Sequence, residues 1–157
     1  MDKYRIFLDI ARLLNQKLDI TPVLYGSLGL GMMLKEDLAS EDIDILVPQK
    51  YISTKWQALI NTFKEIGYEM IDEREHEFVR GAIKVGVSYE EDLLSFADVD
   101  YKKLQVVSVD GVEFKILTVH EYKKVYEASK KDSYRSNKNN KKDLKKIELI
   151  NKHAEAY

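Results

Sequence analysis

The sequence predicts an α/β (α+β) fold in which helices flank one mixed β-sheet. Segments with apolar residues at helical spacing alternate along the chain with short apolar or alternating segments typical of strands. A chain of 157 residues fits one domain, and the absence of cysteine excludes disulfide scaffolds and cysteine-bound metal centres. We therefore expect a single domain over residues 1–157, with a core at about 20–117 and C-terminal helices over 118–157.

The first third of the chain predicts two helices and two strands. Helical spacing of apolar residues ends at Asp19, and short apolar segments follow Pro22 and precede Pro48. The second helix contains Gly29 and Gly31, which weaken a helix unless another group must pack close to it. The predicted elements are a helix over 3–18, a strand over 23–25, a helix over 28–35 and a strand over 43–47.

The middle of the chain predicts a helix followed by two β-hairpins. Ser53 is suited to cap a helix over 54–66, because a serine hydroxyl can accept a hydrogen bond from a first-turn N–H group. Asp110 and Gly111 favour the positive φ angles of a type I′ turn, which is a strong signal of a hairpin. The predicted strand pairs are 75–80 with 83–88, and 106–109 with 112–116.

The C-terminal region predicts two helices and a concentration of positive charge. Thr118 and Glu121 have the spacing of a capping box, and the last helix is predicted over about 141–153. Eleven Lys or Arg residues and four acids lie between Lys123 and Lys152. A solvated basic helix and an anion-binding surface are both compatible with this charge.

Composition also limits the partners. Tyr122, Tyr126 and Tyr134 are interleaved with lysines, which is compatible with a small RNA-binding domain. The net charge of −2 argues against nucleic acid as a partner, because such domains are usually basic. No apolar run approaches the ~20 residues that span a bilayer, so we expect no membrane partner and a cytoplasmic location.

Two short motifs carry the chemistry. Asp42 and Asp44 are two residues apart on a predicted strand, so both carboxylates lie on one face. Adjacent carboxylates repel each other, and a hard divalent cation is the usual counter-charge. Gly26 and Ser27 follow the preceding strand at a helix start, where backbone N–H groups and a hydroxyl can hold a phosphate. Together the motifs predict metal-assisted phosphoryl or nucleotidyl transfer.

With these motifs the sequence resembles the polymerase-β-like nucleotidyltransferase superfamily. Its pattern is a hydrophobic strand, Gly-Ser or Gly-Gly, a short helix, and then acid-hydrophobic-acid-hydrophobic, which 24–27 and 42–45 match. A subset of small bacterial nucleotidyltransferase-like proteins shares three further features, which are matched here by 110–111, 116–118 and 135–144. The resemblance covers about residues 20–150. It implies a nucleotidyltransferase-type mixed sheet with a C-terminal helical appendage.

One position departs from the superfamily pattern. The resemblance implies a third metal-binding carboxylate on the strand beside Asp42 and Asp44, and this position falls near Gly86, where the sequence has no acid. The nearby acids that can substitute are Glu75, Glu77, Glu90, Glu91 and Asp92. We name Glu77 with Asp42 and Asp44 as the candidate metal ligands. Without a third ligand, two carboxylates and substrate phosphates can still hold one Mg²⁺.

The resemblance implies metal-dependent transfer of a nucleotidyl group from an NTP to a small-molecule or protein acceptor. Asp42 and Asp44 are the predicted catalytic residues, with Mg²⁺ or Mn²⁺ as cofactor. The predicted nucleotide-binding residues are Gly26, Ser27, Arg135, Lys138, Lys141 and Lys142. The missing acid near Gly86 favours an alternative, which is a non-catalytic module of the same fold that binds a nucleotide or a partner protein in a regulatory or antitoxin-like role.

Overall fold

The computed structural model describes residues 2–131 and 136–155, and it describes side chains for 2–131 and 142–154. One seven-stranded mixed sheet lies among six helices, which confirms the predicted fold class. The strands are β1 Val23–Tyr25, β2 Ile43–Val47, β3 Glu69–Asp72, β4 Glu77–Arg80, β5 Ile83–Tyr89, β6 Gln105–Val109 and β7 Val112–Ile116. The helices are α1 Lys3–Leu18, α2 Gly26–Leu34, α3 Trp56–Glu65, α4 Asp92–Ala97, α5 Val119–Lys131 and α6 Ser136–Glu155.

The strand order across the sheet is β3-β4-β5-β2-β1-β7-β6. Strand β2 pairs in parallel with β5, β1 pairs in parallel with β7, and the other neighbours are antiparallel. Ile43, Ile45 and Val47 of β2 alternate along the strand with Asp44 and Leu46, and of these five residues only Asp44 is not buried. The pattern places Asp44 on the opposite face from Ile43 and Ile45, in the middle of the sheet.

The helices are arranged in two groups. Helix α1 contacts β7 and α3, and the ring of Phe7 packs edge-on against Phe114 with 5.2 Å between ring centroids. Helices α2, α4 and α6 all contact α5. The fully buried Tyr122 on α5 donates a hydrogen bond of 2.7 Å from its hydroxyl to the carbonyl oxygen of Leu24 on β1. A Cβ on Gly29 would overlap the Tyr122 hydroxyl, which explains why a glycine lies inside α2.

Two of the local signals read from the sequence, a hairpin turn and a capping box, are confirmed. Asp110 and Gly111 have φ angles of 51° and 79°, and they join β6 to β7 as the predicted hairpin turn. The capping box is also present. The backbone N–H of Glu121 donates to Thr118 Oγ1 at 3.1 Å, and the backbone N–H of Thr118 donates to the Glu121 carboxylate at 2.8 Å.

Other element predictions need correction. The cap at Ser53 is wrong, because its hydroxyl donates to the carbonyl oxygen of Gln49 in a preceding 3₁₀ turn and α3 begins at Trp56. The last helix begins at Ser136, which is earlier than predicted. Strand β3 and helix α4 were not predicted. Strand β3 is a four-residue edge strand with an acid at each end, and α4 has six residues, so neither offers a long periodic pattern.

Among the helices that the structure describes, none combines the length and the apolar character needed to cross a membrane.

Candidate functional site

The site is centred on Asp44, which neighbouring strands bring against two glycines. In the sheet register, Asp44 pairs with Tyr25 on β1 and with Gly86 on β5. A Cβ built on Gly26 would overlap the Asp44 carboxylate, and a Cβ on Gly86 would lie 3.0 Å from Asp44 Oδ1. Both glycines therefore leave room for this carboxylate.

The Gly26 turn joins β1 to the first turn of α2. Gly26 has a φ of +64°, a conformation that glycine adopts without the steric cost of a Cβ. The N-cap residue Tyr25 makes no side-chain capping hydrogen bond, and the first turn of α2 carries no acid. Because the first N–H groups of a helix have no partner within the helix, this end of α2 can bind an anion such as a phosphate.

The electrostatic environment of Asp44 raises its pKa to about 6. Burial is the largest cause, and the negative charges of Asp42 and Glu77 add to it. Lys146 and Lys84 act in the opposite direction. The structure therefore gathers two further carboxylates and two ammonium groups around Asp44, and the carboxylates are the other two candidate metal ligands.

Glu77 reaches the site by the register of the sheet. Gly86 pairs with Asp44 on one side and with Glu77 on the other, so the position of the missing acid lies between two carboxylate-bearing residues. The Glu77 carboxylate forms an ion pair with Lys84, with 2.7 Å between Glu77 Oε2 and Lys84 Nζ. The same Nζ lies 4.0 Å from Asp42 Oδ2. Sequence reasoning missed Lys84, although it falls two residues before Gly86 and therefore on the same face of β5.

The other acids considered as substitutes have different surroundings. Glu90 is buried and pairs with Lys115 at 3.4 Å, and the Glu91 carboxylate accepts a hydrogen bond of 3.1 Å from the backbone N–H of Gln49. Both carboxylates are therefore engaged away from Asp44. Glu75 lines the cleft described next, but it does not pair with the residues around Asp44 in the sheet.

A cleft of about 620 Å³ opens over this part of the sheet. Its lining includes Gly26, Ser27, Asp44, Glu77 and Gly86 from the sheet side, while α6 contributes Lys142, Asp143 and Lys146. Of the cationic residues predicted from sequence, Lys142 lines the cleft. Arg135 lies outside the described residues, and the side chains of Lys138 and Lys141 lie outside the described side chains.

Two cleft residues, Lys146 and Asp143, were not predicted as functional candidates from the sequence, and Tyr126 was considered only for the RNA-binding alternative. Lys146 is half-buried, its Nζ lies 5.0 Å from the centre of the Tyr126 ring, and burial lowers its pKa. Tyr126 and Asp143 are each 6% exposed. Within the described part of the chain, neither the Tyr126 hydroxyl nor Asp143 Oδ2 has a hydrogen-bond partner. The four-residue spacing of Lys142 and Lys146 on one helix was the available signal.

The residues around Asp44 fit one hard divalent cation. Asp42 and Asp44 supply two carboxylates, and the raised pKa of Asp44 marks a negative charge that a cation would stabilise. Glu77 is already paired with Lys84. The described residues contain no group of three His, Cys, Asp or Glu side chains arranged to hold a metal. The chemistry of this donor set suits a single Mg²⁺ whose remaining ligands are phosphate oxygens and water.

Comparison with solved structures identifies the fold. The structure superposes with a TM-score of 0.63 on an antigenic nucleotidyltransferase-like protein from Paracoccidioides brasiliensis, at 13% identity, covering 93% of this chain and 73% of that one. The solution structure of the antibiotic-resistance factor ANT(2'')-Ia gives a TM-score of 0.57 at 12% identity, covering 99% and 92%. The crystal structure of ANT(2'')-Ia in complex with adenylyl-2''-tobramycin gives 0.59 at 9% identity, covering 95% and 88%.

Comparison of sequences identifies the family. No protein-family model matches the chain. The uncharacterized protein YnaI of Bacillus subtilis (strain 168) is 44% identical over 152 residues, which are 97% of this chain and 97% of that protein. The chain therefore belongs to the same family as YnaI, and its fold is that of the nucleotidyltransferase-like protein on which it superposes.

Proposed function

We propose that the protein transfers a nucleotidyl group from an NTP to a small-molecule or protein acceptor, with one divalent cation bound by Asp42 and Asp44. The observation that carries this proposal is the contact between Asp44 and the Gly26 turn. A candidate metal ligand and a helix N-terminus suited to phosphate lie side by side at the mouth of one cleft. A metal-bound triphosphate needs a metal ligand and a phosphate-binding group that lie side by side.

Each part of the site has a role in this scheme. Backbone N–H groups at Gly26 and Ser27 hold the terminal phosphates, and the Ser27 hydroxyl adds a hydrogen bond. Asp42 and Asp44 hold Mg²⁺ or Mn²⁺, which neutralises charge on the transferring phosphate when bound. Lys146 and Lys142 extend from α6 along the cleft and attract the triphosphate. Arg135, Lys138 and Lys141 stay predictions for the same role.

The remaining polar groups of the cleft suit recognition of the acceptor or the base. The Tyr126 hydroxyl and Asp143 Oδ2 have no hydrogen-bond partner among the described residues, although both side chains are buried. A buried polar group without a partner is costly, so a ligand that supplies hydrogen bonds there gains affinity. We therefore expect a ligand that donates to Asp143, through a hydroxyl or amino group.

A second candidate function is supported by the residues of β5 beside Asp44. Gly86 stands where active members of the superfamily are expected to carry an acid, and the Lys84 ammonium pairs with the nearest substitute, Glu77. Both features favour a protein that binds a nucleotide without transferring any part of it. Such a module would keep the phosphate and metal interactions, and it would use the nucleotide or a partner protein in regulation.

The experiment that separates these candidates is label transfer from α-³²P-NTP with Mg²⁺ to a cell extract or to the protein itself. The transferase is expected to transfer label, and Asp44→Asn is expected to reduce the rate at least ~100-fold, because the metal site is lost. The matched control is Asp9→Asn, an exposed aspartate on α1 outside the cleft, which should leave the rate unchanged. Stabilisation by Mg²⁺ and NTP without transfer indicates the binding module.

A further inference from the structure

The Lys84 ammonium occupies a central place among the candidate metal ligands. Its Nζ lies 2.7 Å from Glu77 Oε2 and 4.0 Å from Asp42 Oδ2. Lys84 and Gly86 alternate with buried residues along β5, so the lysine side chain extends on the same face as Asp44. The side chains of Lys84 and Asp42 are each 39% exposed, and that of Glu77 is 22% exposed. The cation therefore lies at the edge of the site, in contact with two of the three carboxylates.

The strand register around Gly86 explains how Lys84 can determine the position of the Glu77 carboxylate. Glu77 and Asp44 flank Gly86 on strands two positions apart, so their Cα atoms are separated by about 10 Å at the usual strand spacing. Gly86 has no side chain to fill the space between them. Without Lys84, the Glu77 side chain could extend across this gap towards Asp44. The ion pair instead holds the Glu77 carboxylate with Lys84 and Asp42.

Charge balance gives this arrangement a consequence for metal binding. Asp42, Asp44 and Glu77 carry three negative charges, and Lys84 contributes one positive charge. One divalent cation then brings these four side chains to neutrality, and Lys146, the second ammonium that acts on Asp44, adds further positive charge. A second divalent cation would leave an excess of two positive charges and would lie close to the Lys84 ammonium. Like charges placed close together repel each other, which disfavours a second ion beside this ammonium.

We propose that the Lys84 ammonium takes the place of a second divalent cation, so that the site accepts one metal ion. This inference rests on the proposed metal site of the nucleotidyltransferase function and deepens it. Lys84 acts as a positioning residue, because it restrains Glu77 and fixes the number of metal ions.

The test is a Mn²⁺ titration of the whole protein without nucleotide, in which free Mn²⁺ is measured by electron paramagnetic resonance. The wild type is expected to bind one ion. Lys84→Met is expected to bind two ions, because the second positive charge is no longer supplied by the lysine and Glu77 becomes available. Adding Glu77→Gln to Lys84→Met should return the stoichiometry to one. Lys84→Gln provides a second variant if the methionine impairs folding, which a thermal melt reports.

Lys115→Met is the matched control for the loss of a strand lysine from an ion pair. Lys115 pairs with the buried Glu90 at 3.4 Å, and it does not line the cleft. This variant should leave Mn²⁺ binding unchanged. The inference is overturned if the wild type binds two ions, or if both Lys84 variants bind Mn²⁺ as the wild type does.

Failure of the proposed function has a different signature. If the wild type binds no Mn²⁺ with or without NTP, metal-dependent transfer is contradicted. In that case, Mn²⁺ binding by Lys84→Met and Lys84→Gln still tests the inference about Lys84. Metal binding gained by them supports a lysine that substitutes for a cation, and no gain overturns it.

Discussion

The two strands beside Asp44 give its carboxylate different neighbours. On the β1 side, the Gly26 turn keeps the pattern expected of a phosphate cradle, and Asp44 packs directly against it. On the β5 side, Gly86 faces Asp44 where an acid was expected, and Lys84 pairs with Glu77 one strand further. Under the proposed function, phosphate binding would depend on the β1 side and the number of metal ions on the β5 side, so that each could be changed separately.

The largest expected effect is a loss of nucleotide affinity on substitution of Gly26, on the β1 side of Asp44. Gly26→Ala should weaken binding of Mg²⁺ with NTP at least ~30-fold, because the new Cβ displaces the Asp44 carboxylate and crowds the phosphate cradle. The positive φ adds a folding cost of roughly 1–2 kcal/mol. Isothermal titration with a non-hydrolysable NTP measures the affinity, and a thermal melt measures the stability.

Gly81→Ala is the control for the backbone cost of this substitution. Gly81 has a φ of +58°, and a Cβ there would have no atom within 4 Å. Its folding cost should reflect the positive φ alone and therefore be no larger than that of Gly26→Ala, while nucleotide affinity should not change. Equal affinity losses in the two variants, or wild-type affinity in Gly26→Ala, would show that the Gly26 turn does not contribute to ligand binding.

A smaller effect, of about tenfold, is expected on the β5 side. Gly86→Asp should strengthen Mn²⁺ binding, because it adds a carboxylate directly beside Asp44. The Cβ would lie 3.0 Å from Asp44 Oδ1, so Asp44 must move by a few tenths of an ångström to accommodate it. Gly86→Asn has the same size without the charge, and it should not gain affinity. Equal Mn²⁺ affinity in the two variants would contradict this account of the position.

The smallest effect concerns pH and the unliganded protein. The pKa of Asp44 is about 6 in the folded state and 3.8 as the ordinary value, so the folded state binds more protons between these pH values. Stability should therefore fall as pH rises from about 4 to 6, relative to Asp44→Asn, by about 1 kcal/mol after allowance for solvent screening. Urea unfolding of both proteins across this range measures the difference, and parallel curves for the two proteins would contradict it.

Sequence reasoning reached the parts of the molecule that depend on neighbouring residues. Gly26, Asp44 and the Asp110-Gly111 turn lie in short patterns whose geometry is local, and the structure contains the predicted strands and hairpin around them. The superfamily pattern also located the missing acid at Gly86, which the register places beside Asp44. These features follow from backbone preferences and from side-chain alternation along single strands.

The features that were missed depend on contacts between distant segments. The proposed role of Lys84 depends on its ion pairs with Glu77 and Asp42, which lie in other segments of the chain. No pattern within a single segment predicts these pairs. Lys146 and Asp143 were placed by the packing of α6 on α5 over the cleft. Composition and spacing identify such residues as charged helix or strand positions, but the tertiary structure selects the ones that face the site.

The most direct test of the site is a crystal structure with Mn²⁺ and a non-hydrolysable NTP, in which anomalous scattering locates the metal. The account predicts one Mn²⁺ peak contacting Asp42 and Asp44, with the phosphates against the N-terminus of α2. A nucleotide bound elsewhere, a metal ion that contacts neither aspartate, or two metal ions beside Lys84 would contradict it.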